Sequence, residues 1–211
     1  MKKIFSALVA AMLAMPALAQ FSSGGFELDK QNLYYGVRLG ATIANLSGED
    51  VDTDSKLGMT LGAVVGMRIS ETTPIFLESG LYYTERGAKD IGYSNVEIPL
   101  LIKYGFKATD EIGIVPFFGP YFARACWGKT KIAEFDAEGK ATGKSVKVGT
   151  FDEKKWTGLK RMNMGFKIGC AAEYNKLYLE LGYQIGVTNI SKNDDATIHS
   201  NALFANVGVN F

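Results

Sequence analysis

The residues best suited to chemistry lie near the C-terminus, where the single histidine of the chain, His199, is followed by Ser200. Two carboxylates, Asp194 and Asp195, precede them. A histidine with a serine and an acid is the side-chain set of nucleophilic acyl transfer. Adjacent residues of a strand point to opposite faces, however, so the two side chains would not easily hydrogen-bond to each other. The pattern favours a solvated histidine, and we predict no catalytic residue and no enzyme.

A second candidate is the acidic segment from Glu49 to Asp54, because carboxylates at alternate positions can ligate calcium. The EF-hand spacing fails here. Ser55 occupies the position that needs glycine, and Leu61 occupies the position of the bidentate glutamate. A solvated acidic loop is the favoured interpretation, and the sequence predicts neither a metal site nor a cofactor.

The two cysteines, Cys126 and Cys170, raise the question of a disulfide. We expect them on neighbouring strands, at different heights and on opposite faces. That placement would separate their Cα atoms by more than the roughly 7 Å that a bridge allows. The sequence therefore predicts two free, buried thiols.

The N-terminus carries the features of an export signal. Two lysines precede an apolar run from Ile4 to Met15, and Ala17-Leu18-Ala19 forms a small-x-small cleavage site. Such a segment is a cleaved signal peptide, too short for a membrane span. We assign residues 1–19 to this peptide and residues 20–33 to a periplasmic N-terminal segment. No cysteine follows the cleavage site, so a lipoprotein anchor is not expected.

Alternation of apolar and polar residues dominates the remaining chain, which has no apolar run of the roughly 18 residues that a spanning helix needs. The last strand shows it well: Leu203 and Val207 lie on one face, and Phe204 and Asn206 on the other. Glycine is abundant, at 24 residues, which is typical of strands that approach one another closely. The predicted strands cover roughly residues 35–44, 59–69, 75–84, 95–106, 113–129, 162–173, 177–187 and 202–211.

These strands are long, and short turns alternate with longer connections, as in bacterial outer-membrane barrels. We predict an all-β fold, an eight-stranded antiparallel up-and-down transmembrane β-barrel over residues 34–211, with both termini in the periplasm. A soluble lipocalin-like barrel, with the apolar face inside, is the alternative.

Longer loops are expected near residues 47–56, 87–92, 130–159 and 191–198. Aromatic girdles are expected from Tyr34, Tyr35, Tyr104, Phe106, Tyr174 and Phe211 at one end, and from Tyr82, Tyr83, Tyr93 and Trp127 at the other.

The face opposite the apolar one carries charge and is predicted to line the barrel. An eight-stranded bore is only wide enough for side chains to fill it, so we expect paired charges and no open pore. Strand 113–129 is ambiguous because Pro116 and Pro120 blur its phase, and we place its Arg124 inside. The predicted interior charges are Arg38, Arg68, Lys103, Arg124 and Lys167, facing Glu78, Glu97, Glu173 and Glu180.

The connection from Lys129 to Arg161 is the most distinctive segment. It holds nine basic and five acidic residues, a net charge of +4. Alternation on both sides of Glu138-Gly139 predicts that two strands continue outward as a protruding hairpin. Long ordered loops often carry function, although a solvated loop beside anionic headgroups is an equally good interpretation.

The chain resembles the outer-membrane β-barrel family typified by the PorT proteins of Bacteroidetes. The resemblance rests on five segments: residues 35–40, residues 78–89, Val96 to Tyr104, residues 116–121, and Tyr183 to Ile190. It implies an OmpX- and OmpA-like eight-stranded barrel in the outer membrane and says little about activity. The final residue, Phe211, resembles the C-terminal signal that the barrel-assembly machinery reads.

These observations predict a monomeric barrel that braces the membrane and presents its outer loops to an unknown protein partner. Lipid and lipopolysaccharide are the other expected partners, with divalent cations bridging the acidic loop to lipopolysaccharide as an open alternative. Nucleic acid is not expected, because 23 basic and 22 acidic residues balance. A component of a secretion or transport assembly is the second hypothesis, and a lipid-modifying enzyme is the third.

Overall fold

A computed structural model of the chain describes residues 32–48, 51–135, 141–151, 158–193 and 196–211. The predicted signal peptide and most of the segment 20–33 lie outside these ranges. Within them, no helix is long and apolar enough to cross a membrane. The strands are β1 (Leu33–Gly48), β2 (Val51–Asp52), β3 (Lys56–Arg68), β4 (Ile75–Ala88), β5 (Ile91–Tyr104), β6 (Phe106–Lys107), β7 (Ile112–Phe135), β8 (Ala141–Gly149), β9 (Met162–Tyr174), β10 (Leu177–Gly186) and β11 (Ile198–Asn210).

Eight of these strands form a closed antiparallel barrel, which confirms the predicted fold class. Each long strand pairs with its neighbours in chain order, and β11 pairs with β1 to close the ring. The closing register runs from Gly36 opposite Asn210 to Gly48 opposite Ile198. The short strands β2, β6 and β8 extend individual hairpins and are not part of the ring.

The apolar side chains lie on the outside of the barrel. Along β10, Leu177, Leu179 and Leu181 are exposed, while Tyr178 and Glu180 between them are buried. Most of the other strands of the ring repeat this alternation over most of their length. An exposed apolar belt around a charged interior is the reverse of a lipocalin, so the soluble alternative is wrong.

The structure corrects the prediction for Arg124, which faces outward and is exposed. Alternation continues without a break through both prolines of β7, so the small side chains of Ala123 and Ala125 occupy the inward positions. The irregularity lies further along the strand. Asn95 pairs with Ala125 but Ser94 pairs with Trp127, so one extra residue bulges out of β7 between these two pairs.

The connections differ from the prediction at one hairpin and agree with it at another. Residues 87–92 do not form a longer loop, because β4 and β5 are joined by a two-residue turn at Lys89-Asp90. The protruding hairpin is confirmed: β7 pairs with β8 from Lys129–Gly149 outward to Phe135–Ala141. The tip, residues 136–140, lies outside the described part of the chain.

Three tyrosines assigned to the aromatic girdles belong to the interior. Tyr34, Tyr82 and Tyr93 are buried, because each continues the inward phase of its strand. At the end with the short turns, exposed aromatic side chains remain as predicted, from Tyr35, Tyr104, Phe106 and Tyr174. Trp127 is exposed at the other end.

Candidate functional site

The interior is electrically balanced. Among the described residues, eight charged side chains are buried, four of each sign. Arg68 is half-buried at the end of β3, where Nε donates to the carbonyl of Ser70, 2.8 Å away. The buried positive residues are Arg38, Arg86, Lys103 and Lys167, and the buried negative residues are Glu78, Glu97, Glu173 and Glu180.

Glu78 is the centre of the interior network at the end with the short turns. Lys103 Nζ lies 2.7 Å from its Oε1, and Arg38 Nη2 lies 3.7 Å from its Oε2. The hydroxyl of Tyr34 donates to Oε2 over 2.7 Å. Lys103 also donates to the hydroxyl of Tyr178, 2.7 Å away. The carboxylate thus has two ion-pair partners and one hydrogen-bond donor, which offset the large cost of burying it.

Glu97 is the centre of a second network. It lies towards the end of the barrel opposite the short turns, which we call the outer end. Arg86 Nη2 lies 2.7 Å from Glu97 Oε2, and Lys167 forms an ion pair with Oε1. Gln184 Nε2 donates to the same Oε2 over 2.8 Å and accepts a hydrogen bond from Arg86. Sequence reasoning missed Arg86 because it ended the strand at residue 84. The alternation that places Glu78 and Tyr82 inside continues to residue 86 and is the signal that was available.

The other two buried carboxylates are bound by asparagines of the last strand. Asn210 Nδ2 donates to Glu173 Oε2 over 2.9 Å, and Asn206 Nδ2 donates to Glu180 Oε1 over 2.5 Å. Asn210 also accepts a hydrogen bond from Arg38 Nη2 at 2.6 Å. Asparagine offers both a donor and an acceptor, so it links a buried anion to a buried cation.

Apolar layers alternate with these polar networks and fill the bore. Tyr34, Phe76, Val115, Ala171 and Tyr178 pack together near the end with the short turns. Leu101, Phe117 and Phe204 form a middle layer. The prediction of a polar core is therefore incomplete. Aromatic rings fit inside the bore because inward-facing glycines leave room for them. The Tyr34 ring covers Gly66, and the Phe204 ring covers Gly182.

The connecting segments cap the outer mouth. Phe151 and Leu159, from the connection between β8 and β9, pack with Ile190 from the connection between β10 and β11. Leu46, Ala88, Tyr93 and Ala125 complete this apolar cluster from the barrel wall. Side chains thus cross the bore at several levels, and the cap encloses the upper charge network.

The residues that suggested acyl transfer are separated by the strand. Ser200 is buried inside and its Oγ accepts a hydrogen bond from the hydroxyl of Tyr93 at 2.8 Å. His199 is half-buried, opposite Ser47 of β1. The opposite-face prediction for this pair is confirmed, and the two aspartates upstream lie outside the described residues.

The acidic segment is partly described. Asp54 Oδ2 lies 3.0 Å from Lys89 Nζ in the β4–β5 turn, and this hydrogen bond raises the pKa of Lys89. Residues 49 and 50 lie outside the described ranges. Within those ranges, no group of three metal-ligating side chains comes together.

The thiols of Cys126 and Cys170 are free, as predicted, but both are exposed on the outer face. Cys170 pairs with Pro116 of β7, ten residues from Cys126 along that strand. At about 3.3 Å per residue, the separation is roughly 33 Å. The predicted burial and opposite faces are wrong, and the height difference alone separates the two thiols.

The C-terminal residue is bound to the first strand. The backbone N–H of Phe211 donates to the carbonyl of Tyr35 at 2.7 Å, and the N–H of Tyr35 donates back at 3.3 Å. The predicted assembly signal therefore lies at the seam where the barrel closes.

The outer rim concentrates cations around Trp127. Its side chain lines two grooves of about 330 and 340 Å³. Lys56 and Lys129 line the first groove, and Arg161 lines the second. The ring of Tyr83 lies 6.0 Å from the Trp127 ring.

Similar architectures occur among solved structures. Ail of Yersinia pestis matches with 12% identity and a TM-score of 0.43, covering 86% of this chain and 100% of its own. Neisserial surface protein A matches with 16% identity and a TM-score of 0.45, covering 86% and 98%. A major outer membrane protein of Thermus thermophilus matches with 13% identity and a TM-score of 0.47, covering 86% and 100%.

The sequence shows which protein family the chain belongs to. No protein with a curated description matches the chain. The family described as outer membrane protein beta-barrel domain matches residues 5–211, nearly the whole sequence. The exposed apolar belt and the closed barrel agree with that match. The chain therefore belongs to the family of outer-membrane β-barrel proteins.

Proposed function

We propose that this protein is a monomeric outer-membrane barrel that conducts no solute and acts through the surface it presents outside the cell. The observation that carries the proposal is the filled bore, with its balanced buried charges and its apolar cap. Because the interior is closed, the segments outside the barrel are the parts of the protein that can interact with other molecules. The main one is the hairpin of β7 and β8, which extends beyond the ring of strands.

The proposal includes export through the cleaved leader 1–19, insertion by the assembly machinery at the Phe211 strand, and contact with lipid and lipopolysaccharide. It also includes the narrower resemblance to PorT-type barrels of Bacteroidetes. An unknown protein partner at the outer loops is the remaining element. Neither a cofactor nor catalysis is part of it.

Heat-modifiability and conductance test the barrel itself. Protein refolded in detergent should migrate as a compact band that shifts on boiling, and it should give no steady conductance in a planar lipid bilayer. A stable conductance would contradict the closed bore. A folded monomer in detergent-free buffer would contradict the membrane placement.

A hairpin deletion tests the surface role. Replacing residues 131–149 by an Asn-Gly turn joins Thr130 to Thr150, whose hydroxyls lie 3.0 Å apart. The shortened barrel should remain heat-modifiable, and cells that carry it should lose membrane integrity while still secreting normally. Loss of secretion with intact membranes would favour the secretion assembly instead.

The substitution His199→Ala tests the third hypothesis. A change in the cell's lipid composition in this variant would favour a lipid-modifying enzyme.

A further inference from the structure

The rim around Trp127 has the shape of a binding site. The indole is 58% exposed and lines two grooves. Gly128 lines both grooves beside it, and a side chain at this position would meet Cβ of Tyr93 at 2.8 Å and the ring of Phe151 at 2.9 Å. Glycine at this position therefore lets the strand beside the indole lie close against the apolar cap.

The grooves carry an excess of positive charge. Lys56 and Lys129 line the first groove with one acid, Glu85. That acid already accepts hydrogen bonds from the backbone of Met59 and the hydroxyl of Tyr83, both at 3.3 Å. Neither lysine forms an ion pair with an acid within the described part of the chain. The first groove is thus suited to an anion from outside the protein.

The cation of the second groove is held in position. Arg161 Nη1 donates to the carbonyl of Cys126 at 3.0 Å and to that of Ala125 at 3.3 Å. Its guanidinium also lies 4.6 Å from the centre of the Phe151 ring. A guanidinium fixed in this way loses little conformational entropy when it binds an anion.

The height of these grooves matches a lipid headgroup. Below Trp127, the outward residues Phe122 and Met162 are 49% and 55% exposed and belong to the apolar belt. Arg124 lies opposite Met162 at the upper edge of that belt. Tryptophan and basic side chains in this order are typical of the boundary between hydrocarbon and headgroups.

We propose that this rim binds the anionic phosphate headgroup of a membrane lipid, with Lys129 and Arg161, one from each groove beside Trp127, as the phosphate contacts. The acyl chains of the same lipid lie on Phe122 and Met162. The lipid site rests on the proposed function, because it requires this end of the barrel to face outward. The surface role of the hairpin, in contrast, does not require a lipid site.

Brominated lipids test the site directly, because bromine quenches a nearby indole. The chain has two tryptophans, so the substitution Trp156→Phe leaves Trp127 as the only one. This variant is refolded into phosphatidylcholine nanodiscs that contain a small, equal fraction of brominated phosphatidylglycerol or brominated phosphatidylcholine. The anionic lipid should quench Trp127 more strongly, and molar sodium chloride should abolish the difference.

The double substitution Lys129→Gln with Arg161→Gln should lower the preference for phosphatidylglycerol by about thirtyfold, the attraction typical of two basic residues at an anionic surface. The matched control is Lys107→Gln, which removes an exposed cation at the opposite end and should leave the preference unchanged. Heat-modifiability of each variant confirms folding independently, so failure of the lipid site is distinguishable from failure of the barrel.

Two outcomes would overturn the proposal. Equal quenching by both lipids, or a preference that survives the double substitution, would show that the rim does not select an anionic lipid. Removal of the preference by millimolar inorganic phosphate would show that the site takes the free anion instead of the headgroup.

Discussion

Arg86 of β4 and Glu97 of β5 form an ion pair across 2.7 Å with both side chains fully buried. The two residues lie on neighbouring strands, and Lys167 of β9 completes the arrangement from further round the barrel. Two positive side chains therefore depend on one carboxylate.

Removing that carboxylate should destabilise the barrel strongly. Glu97→Gln leaves Arg86 and Lys167 buried without their anion, and breaking a buried pair in this way costs about 3–5 kcal/mol. The free energy of unfolding, measured by urea titration in phospholipid vesicles, should fall by that amount. Glu111→Gln is the control, because this acid is exposed in a turn. Equal stability of the two variants would show that Glu97 contributes no net pairing energy.

Filling the space under an interior ring should also destabilise the fold. In Gly66→Ala the new methyl group would overlap the Tyr34 ring, whose hydroxyl donates to Glu78. Overpacking of this kind costs about 1–3 kcal/mol. The same urea titration checks it against Val65→Ala, a change on the adjacent lipid-facing residue. A neutral effect of Gly66→Ala would mean that the ring can move without cost.

The apolar cap should stabilise the outer end of the barrel. Phe151→Ala removes the ring that packs 6.0 Å from Tyr93, a loss of about 3–5 kcal/mol if the space does not refill. Hydrogen exchange should then accelerate at Leu159 and Thr150, whose N–H groups donate to the carbonyls of Thr150 and Gly128, while the central strands stay protected. Unchanged exchange at these two amides would argue against an ordered cap.

The cysteines should remain unpaired in the folded barrel. Cys126 and Cys170 are free and exposed on the outer face, with roughly 33 Å of strand between them. Protein unfolded in denaturing detergent without prior reduction should therefore take up two maleimides, as counted by mass spectrometry. A mass consistent with a disulfide, or the uptake of none, would contradict this placement.

Much of the fold could be predicted because the period of a strand is two residues. Once Leu177, Leu179 and Leu181 occupy one face, Tyr178 and Glu180 must occupy the other, whatever the rest of the chain does. Eight such segments joined by alternating short and long connections are typical of a closed barrel. The same argument placed most of the buried charges correctly, from Arg38 to Glu180.

The errors arose where the local pattern does not determine the position. Arg124 lies between two alanines, which fit either face, and only the pairing of β7 with its neighbours showed which way it points. Arg86 lies beyond the end predicted for its strand. Tyr34 and Tyr93 have aromatic rings that suit a girdle or an interior equally well, and their hydrogen bonds to Glu78 and Ser200 decide for the interior.

The sequence by itself determined the class of fold, the apolar outer face and most of the interior charge, because these depend on composition and alternation along one strand. The tertiary structure decided which charges pair. Glu97 meets Arg86 within one hairpin, but Lys167 reaches the same carboxylate from β9, much later in the chain, and no spacing in the sequence encodes that second meeting. Register and closure bring them together, and both follow from backbone pairing around the whole ring.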